Sequence, residues 1–499
     1  MDHQSRQPAA ATISLSDHLT WVFVAIIAGS YFFGLTPGHI FAQDDFGAYV
    51  MHAENLVQGR PYTQIHYVPN PEAWISPANG YPPAYPLLLA PVFWQRGLDL
   101  HAMKMATVFT FAIFLGAFAI WLRPLCSPRI RTLAVLLVGF SPALWTYRDF
   151  ISSEFPYLMF SFLALLAIRR AASSPAPDGC GLGWALLVAA LLYACYATRT
   201  IGIALPIALT CKELAQRKRF SRFMILTCAI LAALIGLQAA LLTSPSGYIS
   251  VVRISIGSAL SNLWSYSKSI TFAWHNGFSK TAQGLLGLAL TSCAAFAFLR
   301  RNRKGTSIEA WYLLVYMAIL IASGIQIGIR GLLPILPIYL TYVVLGISDL
   351  QMRMRPISAR IFVAAAAFCI VATYVGSLRQ PIRSATAADV NDPSAQELFS
   401  FLRTQTAPSD LLVFSKPRTV SLFTSRMATA LGPDEAPEDS ARFLQSAGAQ
   451  FLIQSTWNPP AYRHLIEKEG ATMTEVFHNR DFQVLRFRDK STTEKLASR

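Results

Sequence analysis

Apolar runs too long for a water-soluble core constrain this chain more than any other feature. MKMATVFTFAIFLGAFAIWL, Met103 to Leu122, and FMILTCAILAALIGLQAALL, Phe223 to Leu242, are almost free of charge. As helices, they would cross about 30 Å of hydrocarbon. Lipid offers the backbone no water, so such a run must satisfy its own N–H and C=O groups by being helical. Comparable runs recur, and the chain reads as a polytopic α-helical membrane protein. Its 14% of charged residues is well below the roughly one quarter of a soluble domain.

Hydropathy places about eleven transmembrane helices. They are Leu19–Leu35, Met103–Leu122, Thr132–Tyr147, Phe155–Ile168, Leu182–Thr198, Thr200–Leu214, Phe223–Leu242, Gly284–Leu299, Ala310–Gly328, Leu332–Ile347 and Ile361–Leu378. The formal charge of +15 lies in short clusters between these runs, the pattern of cytoplasmic loops rather than of a nucleic-acid surface. Arg123, Arg129 and Arg131 follow span two, and Arg169 and Arg170 follow span four. Lys212, Arg217, Lys218, Arg219 and Arg222 follow span six. Arg300, Arg301, Arg303 and Lys304 follow span eight, and Arg353, Arg355 and Arg360 follow span ten. Every even-numbered exit is basic, so the N-terminus is expected inside and the segment after Leu378 outside the cytoplasm. An acidic pair, not a small-residue cleavage site, follows span one, so a retained first helix is expected. Cys126, Cys180, Cys195, Cys211, Cys228, Cys293 and Cys369 form no CxxC pair, so neither a disulfide framework nor a zinc site is indicated.

Three outer segments are large. In the first outer loop, 36–102, DDFGAYVMHAENLVQG has Phe46, Tyr49, Val50, Ala53 and Leu56 at helical spacing and Gly59 as a stop. An amphipathic helix lying on the outer membrane surface is expected there. The stretch from Arg60 to Pro86 reads as an ordered loop. Thr243 to Lys280 holds Tyr248, Trp264, Tyr266, Phe272 and Trp274 at interfacial spacing. The tail, 379–499, has the composition of a soluble domain. Helices are expected at Ser394–Thr404, Pro437–Ala447 and Pro460–Glu469, and strands at Asp410–Phe414, Gln450–Ser455, Thr472–Phe477 and Phe482–Phe487. Residues 1–378 thus form the transmembrane domain and 379–499 a small C-terminal α/β domain outside the cytoplasm.

Candidate chemistry gathers at the outer side. Asp44 and Asp45 follow span one. One of two adjacent carboxylates can stay ionised as a general base where a cation supports it; the pair would equally serve as a solvated helix N-cap. Asp149 and Glu154 lie between spans three and four, as functional acids or as caps for span four. Arg199 and Arg330 sit at the outer edge, where an arginine fork suits phosphate oxygens or snorkels to ordinary lipid. Tyr62, Tyr67, Trp74, Tyr81 and Tyr85 supply faces for sugar rings or an interfacial belt.

DDFGAYVMHAENLVQGRPY followed by GYPPAYPLLLAP resembles the GT-C membrane glycosyltransferases. Within these it is most similar to the bacterial protein-mannosyltransferase and aminoarabinose-transferase-like group, glycosyltransferase family 39. SSEFPYLMF, ATRTIGIALP, RGLLPILP and KPRTVSLFTSR extend the resemblance over nearly the whole chain, and the ordered set carries it. It implies an inverting glycosyltransferase of the plasma (inner) membrane. A sugar would move from a polyprenyl-phosphate donor to a hydroxyl of an envelope glycan, lipid or protein on the extracytoplasmic face. The resemblance makes Asp45 the general base, since Tyr49 and Ala53 then fall at the family's offsets, with Asp44 as the alternative. It makes Asp149 and Glu154 a second acidic region that organises donor or acceptor, and Arg199 and Arg330 the holders of donor phosphate. The loop tyrosines Tyr62, Tyr81 and Tyr85 would line the substrate. One departure stands out: where the aminoarabinose branch has a lysine before paired prolines, this chain has Tyr81, so its phosphate site must differ. That group generally uses no cofactor. A related branch holds a divalent cation on carboxylates, and Asp44, Asp45, Asp149 and Glu154 would be its oxygen ligands, but no acidic trio is tightly spaced and no metal is expected. The competing readings are a secondary transporter, disfavoured by spans nearly free of ionisable groups, and a non-catalytic envelope-assembly protein.

Overall fold

The computed structural model describes residues 15–41, 43–70, 72–73, 80–172, 181–242, 255–274, 279–303, 305, 307–323, 326–378, 389–432 and 435–488. Trp74, Cys180, Tyr248 and Lys304 lie outside them. Among the described residues sixteen helices precede the tail: α1 (Leu15–Phe32), α2 (Asp45–Gln58), α3 (Ala84–Arg96), α4 (Leu100–Leu122), α5 (Pro128–Gly139), α6 (Pro142–Thr146), α7 (Glu154–Ala172) and α8 (Leu182–Thr198). They continue with α9 (Ala204–Arg217), α10 (Arg222–Leu241), α11 (Ile256–Phe272), α12 (Lys280–Arg301), α13 (Ile308–Ala322), α14 (Ile329–Leu332), α15 (Leu336–Gln351) and α16 (Pro356–Leu378). Among the described residues, five helices (α4, α7, α10, α12 and α16) are long and apolar enough to cross a membrane. The segment Pro128–Gly139 with Pro142–Asp149 makes a sixth, bent by 40°. The bend falls where Pro142 lacks the N–H that would continue the ladder. The shorter apolar helices lie in α1, α8, α13 and α15. The chain is a multi-pass membrane protein, and each of the eleven apolar runs carries helix.

Ion pairs sort the helix ends into two groups. Arg131 at the start of α5 binds Asp17 at the start of α1. Arg169 at the end of α7 binds Glu309 at the start of α13 and donates to the Trp121 carbonyl near the end of α4. Arg301 at the end of α12 reaches Asp349 near the end of α15 at 2.8 Å. These ends belong to the basic exits and lie together at one end of the bundle. At the opposite end stand the starts of α2 and α7, the end of α8, and α14.

That opposite end carries the tail: α17 (Pro393–Gln405), β1 (Leu411–Val413), α18 (Pro417–Thr424), β2 (Met427–Thr429), α19 (Pro437–Ala447), β3 (Ala449–Ser455), α20 (Pro460–Glu469), β4 (Met473–His478) and β5 (Phe482–Phe487). The strand order is β2-β1-β3-β5-β4. β1 pairs in parallel with β2 and β3, and β5 runs antiparallel between β3 and β4. The exposed edge of β2 would invite association. The loop between α2 and α3 covers it: Val68 N–H donates to the Ala428 carbonyl and Ala428 N–H to the His66 carbonyl, both at 2.9 Å. Phe41, Phe46 and Tyr49 of the first loop share one apolar core with Phe399, Phe414 and Phe482 of the tail.

Three local expectations change. α2 is not laid on the membrane surface: its residues from Phe46 to Ala53 are all buried, because α3 covers one side and α18 another. Gly59 does terminate it, at φ 65°. The segment Thr243–Lys280 contains the additional helix α11, on which Trp264 is exposed while Tyr266 is buried, and Trp274 just beyond it is also buried. In the tail, α18 and β2 appear where no element was expected.

α18 docks by charge and by close approach. Pro417 at its first position needs no N–H partner, and Lys416 gives no side-chain cap. Asp44 supplies the cap from another part of the chain: its Oδ1 accepts from Thr419 N–H and from the Thr419 hydroxyl, each at 2.9 Å. A carboxylate there also meets the positive end of the helix dipole. Gly47 lets the backbones touch, since a Cβ would stand 2.6 Å from the Arg418 carbonyl oxygen.

Two expectations follow for the purified protein in detergent. Gly47→Ala gains helix propensity yet is expected to lose about 1–3 kcal/mol by overpacking. Gly29→Ala, whose Cβ meets nothing within 4 Å, should lose none. Thermal unfolding of the two variants checks this, and unchanged stability in Gly47→Ala would refute the close contact. Asp44→Asn can still accept both Thr419 bonds and should keep the tail protected from protease. Asp44→Ala leaves a buried N–H orphaned, at about 1–3 kcal/mol, and should expose the tail. Equal protection in the two variants would refute the capping contact.

Candidate active site

Asp45 stands in the first turn of α2. Its Oδ1 accepts the Tyr81 hydroxyl at 2.7 Å and lies 3.4 Å from Arg418 Nη1. Its Oδ2 accepts Arg330 Nη1 at 2.7 Å. Arg330 turns its Nε to Glu154 Oε1, which also accepts Arg199 Nη1 at 2.6 Å. Arg199 Nη1 reaches Ser153 Oγ at 3.2 Å, and the Tyr49 hydroxyl donates to the same oxygen at 3.0 Å. The result is an alternating row: Arg418, Asp45, Arg330, Glu154, Arg199. Asp45 keeps 25% of its side-chain surface open, whereas Glu154 has none. Asp45 is therefore the carboxylate of this row that an incoming group can touch.

Local backbone features aim the arginines. Arg199 is an extended residue, φ −148°, at the corner between α8 and α9. That corner closes tightly because Gly202 abuts Cys195, where a Cβ would meet the carbonyl carbon at 2.4 Å. Arg330 rides on the single turn α14, introduced by Gly328 at φ 56°, a conformation costly to residues with a Cβ. Arg418 comes from α18 in the tail.

The two adjacent aspartates are driven apart. Burial pushes the Asp45 carboxyl up, but the Arg330 and Arg418 guanidiniums outweigh it and hold the group well below the usual carboxylate range. For Asp44 burial prevails over Arg418 and Thr419, and its carboxyl is raised. His52 on α2 is pushed down to about 4 by burial, so it is neutral near pH 7. Its Nδ1 meets the Tyr62 carbonyl at 2.7 Å, which fixes Nδ1 as the protonated nitrogen. Its Nε2 then accepts Tyr81 N–H at 3.2 Å.

Tyr62 and Tyr85 do not line an open loop. Tyr62 stacks on His52 at 4.2 Å and donates its hydroxyl to the Tyr81 carbonyl at 2.7 Å. With His52 it therefore clamps the backbone of Tyr81. Tyr85 is buried, its hydroxyl 2.7 Å from Thr107 Oγ1. Tyr81 alone of the three contacts Asp45. Asp149 also departs from the expectation of one acidic region shared with Glu154. It is buried against Lys104 at 2.8 Å and accepts Thr36 N–H at 2.9 Å, an ion pair that ties the first loop to α4. Among the described residues no three His, Cys, Asp or Glu side chains are grouped as a metal site requires.

The structure thus brings together Asp45, Glu154, Arg199, Arg330 and Tyr81. It sends Asp44 to the tail and Asp149 to Lys104. Sequence reasoning missed Arg418 and His52. For Arg418 the available signal was KPRTVSLFTSR, one of the segments that carry the resemblance. For His52 none was at hand, because an isolated histidine on a helix face reads as core.

No protein-family model matches the sequence, and no curated protein does. Solved structures do match. ArnT from Cupriavidus metallidurans in the apo state aligns over 95% of this chain and 98% of its own, at TM-score 0.60 and 13% identity. The Archaeoglobus fulgidus oligosaccharyltransferase in the apo form aligns over 88% of this chain and 69% of its own, at 0.59 and 10%. The arabinofuranosyltransferase AftD from Mycobacteria aligns over 96% of this chain and 40% of its own, at 0.55 and 12%. All three are GT-C glycosyltransferases. By these matches this chain has the GT-C fold.

Proposed function

We propose that the protein is an inverting glycosyltransferase that moves a sugar from a polyprenyl-phosphate donor to an acceptor hydroxyl at the extracytoplasmic face of the plasma (inner) membrane. The observation that carries the proposal is Asp45, an ionised and partly open carboxylate set in a row of arginines at one end of a GT-C bundle. Two neighbours of the same fold add support: ArnT has been solved with undecaprenyl phosphate, and AglB with an inhibitory peptide and a dolichol-phosphate. The basic helix exits at the other end fit a cytoplasmic face, which supports an extracytoplasmic row and tail.

In this mechanism Asp45 takes the proton of the acceptor hydroxyl as that oxygen attacks the anomeric carbon. The bond to donor phosphate breaks on the opposite side, which inverts the centre. The departing polyprenyl phosphate carries the negative charge, and Arg330 and Arg199 stabilise it. The resting pairing has a consequence. A carboxylate held by two guanidiniums is a weak base. Donor phosphate that draws Arg330 toward itself loosens one of those holds and raises the basicity of Asp45, so the base strengthens when donor is present. Tyr81 bonds Asp45 at the position where the aminoarabinose branch has its lysine, so phosphate recognition falls to the arginines. Asp44 acts by seating the tail, and the acceptor is an envelope glycan, lipid or protein.

Asp45→Asn keeps the shape and removes the basicity. Transfer from a polyprenyl-phosphate sugar, measured with purified enzyme, is expected to fall about 10²–10⁴-fold, and Asp44→Asn to retain most activity. Near-wild-type turnover in Asp45→Asn would overturn the assignment. Reporter fusions test the sidedness. A reporter after Leu378 should be active only as an extracytoplasmic protein, and reporters after Arg222 and Arg303 only as cytoplasmic ones. A cytoplasmic tail would overturn the topology and the placement of the reaction.

A further inference from the structure

Arg418 is 1% exposed, and its guanidinium is only partly used. Nη1 faces Asp45 Oδ1 at 3.4 Å and Asp44 Oδ2 at 3.8 Å. Its planar faces meet two rings, Tyr67 at 4.9 Å and Tyr81 at 5.1 Å from their centroids. Ring contacts satisfy the face of a guanidinium and leave its N–H donors unspent. Nε and Nη2 are both buried and without a hydrogen-bond partner. These two nitrogens lie on the same side of the guanidinium, the edge that grips two oxygens of one oxyanion at once. Among the described residues no other arginine leaves both buried and unpaired.

A buried charged donor without a partner calls for an explanation. The other two cations of the row are engaged, Arg330 by Asp45 and Glu154 and Arg199 by Glu154. Arg418 cannot readily swing away, because Asp44 anchors the next residue, Thr419, through two hydrogen bonds and Gly47 lies against its carbonyl. The unused edge is thus held in place beside Asp45, the open carboxylate.

We propose that the Nε–Nη2 edge of Arg418 is a phosphate subsite delivered by the tail, distinct from the arginines of the membrane bundle. The third nitrogen of the same guanidinium, Nη1, stands 3.4 Å from Asp45 Oδ1, so the fork neighbours the open carboxylate, and under this proposal it receives two oxygens of the phosphate. The tail then contributes a ligand contact, and the site is incomplete without it. The phosphate comes either from a lipid headgroup or from a soluble species; the lipid source rests on the reaction proposed above.

The test uses the full-length protein in detergent and two probes, undecaprenyl phosphate and inorganic phosphate, with calorimetry on wild type, Arg418→Gln and Arg418→Lys. Lysine keeps the charge beside Asp44 and Asp45 but lacks the fork, so it decides the matter if Arg418→Gln fails to fold by thermal unfolding. The expected result is undecaprenyl phosphate binding weakened at least about tenfold in the variants, the loss of a charge-assisted pair, with the tail still protected from protease. Loss of inorganic phosphate binding alone, with lipid binding unchanged, would keep the subsite and assign it to a soluble phosphate. Unchanged binding of both probes overturns the subsite while the proposed reaction stands. Wild type that does not bind the lipid phosphate overturns that reaction, and the inorganic phosphate arm then judges Arg418. Wild type that binds neither probe overturns both.

Discussion

Arg330, held between Asp45 and Glu154, is the contact on which the tail-bearing end of the bundle depends. Those partners are 285 and 176 residues away in sequence, so one guanidinium joins the start of α2, the start of α7 and the approach to α15. Glu154 is fully enclosed, and an enclosed carboxylate is tolerable only when its charge is answered. Arg199 answers it a second time. Removing one member of such a buried pair typically costs about 3–5 kcal/mol, because the other charge is left behind. The row is therefore a structural fastener as well as the candidate chemical apparatus, and the groups that do one task cannot be separated from those that do the other.

A second constraint acts through neighbouring residues. Asp44 and Asp45 are consecutive, yet they serve different parts of the molecule. Asp44 caps α18 and seats the tail; Asp45 faces Arg330 and Tyr81. Adjacent like charges repel, and each is relieved by its own partners, Thr419 and Arg418 for Asp44, Arg330 and Arg418 for Asp45. Arg418 touches both, so the seating of the tail and the electrostatics of Asp45 share a residue. The shared apolar core of the first loop and the tail, and the isolated bridge of Tyr67 to Ala428 at the edge of β2, fasten the same two segments.

Much of this was legible in the sequence where a long period repeats. The apolar runs located every helix before the tail except α2, α3, α11 and the short turn α14, and α8 matched its expected limits. In the tail, α19, α20 and β5 also matched theirs. Two short elements of the tail escaped notice: β2 and α18, of three and eight residues, are too short for hydrophobic periodicity to register. The amphipathic pattern of α2 was read correctly as a helix and wrongly as a lipid-facing one. A stripe of apolar residues reports that something covers a face, not whether lipid or protein covers it. Residue chemistry put forward Asp44, Asp45, Asp149, Glu154, Arg199 and Arg330 alike, because charge beside an apolar span is conspicuous, and four of the six meet in the row. Arg418 was hidden by its setting, since an arginine in a charge-balanced tail looks like any surface residue. Tyr62 and Tyr85 were misjudged for the complementary reason: aromatic side chains in a loop look alike whether they face a ligand or pack inward.

Charge balance gives the row its chemical character. Its three arginines, Arg199, Arg330 and Arg418, are answered by Asp45 and Glu154 within the row and by Asp44 beside Arg418. A set balanced in this way has little net attraction for an anion at long range, so recognition must come from short-range geometry. A phosphate that enters has to share an arginine already in use or take a donor that is unspent. Sharing Arg330 weakens its bond to Asp45, which changes the basicity of the one open carboxylate. Taking the free edge of Arg418 leaves the existing pairs intact and adds hydrogen bonds without breaking any. Under the proposed reaction these two modes suit different moments. The unspent edge can receive a phosphate without disturbing the resting pairs, while the shared arginine ties the strength of the base to the presence of donor. A wholly unpaired arginine cluster would bind phosphate more strongly, but it would also retain the polyprenyl phosphate product. Under the proposed reaction, neutralising the cluster with carboxylates would temper that hold, favour release and leave Asp45 available for the next acceptor.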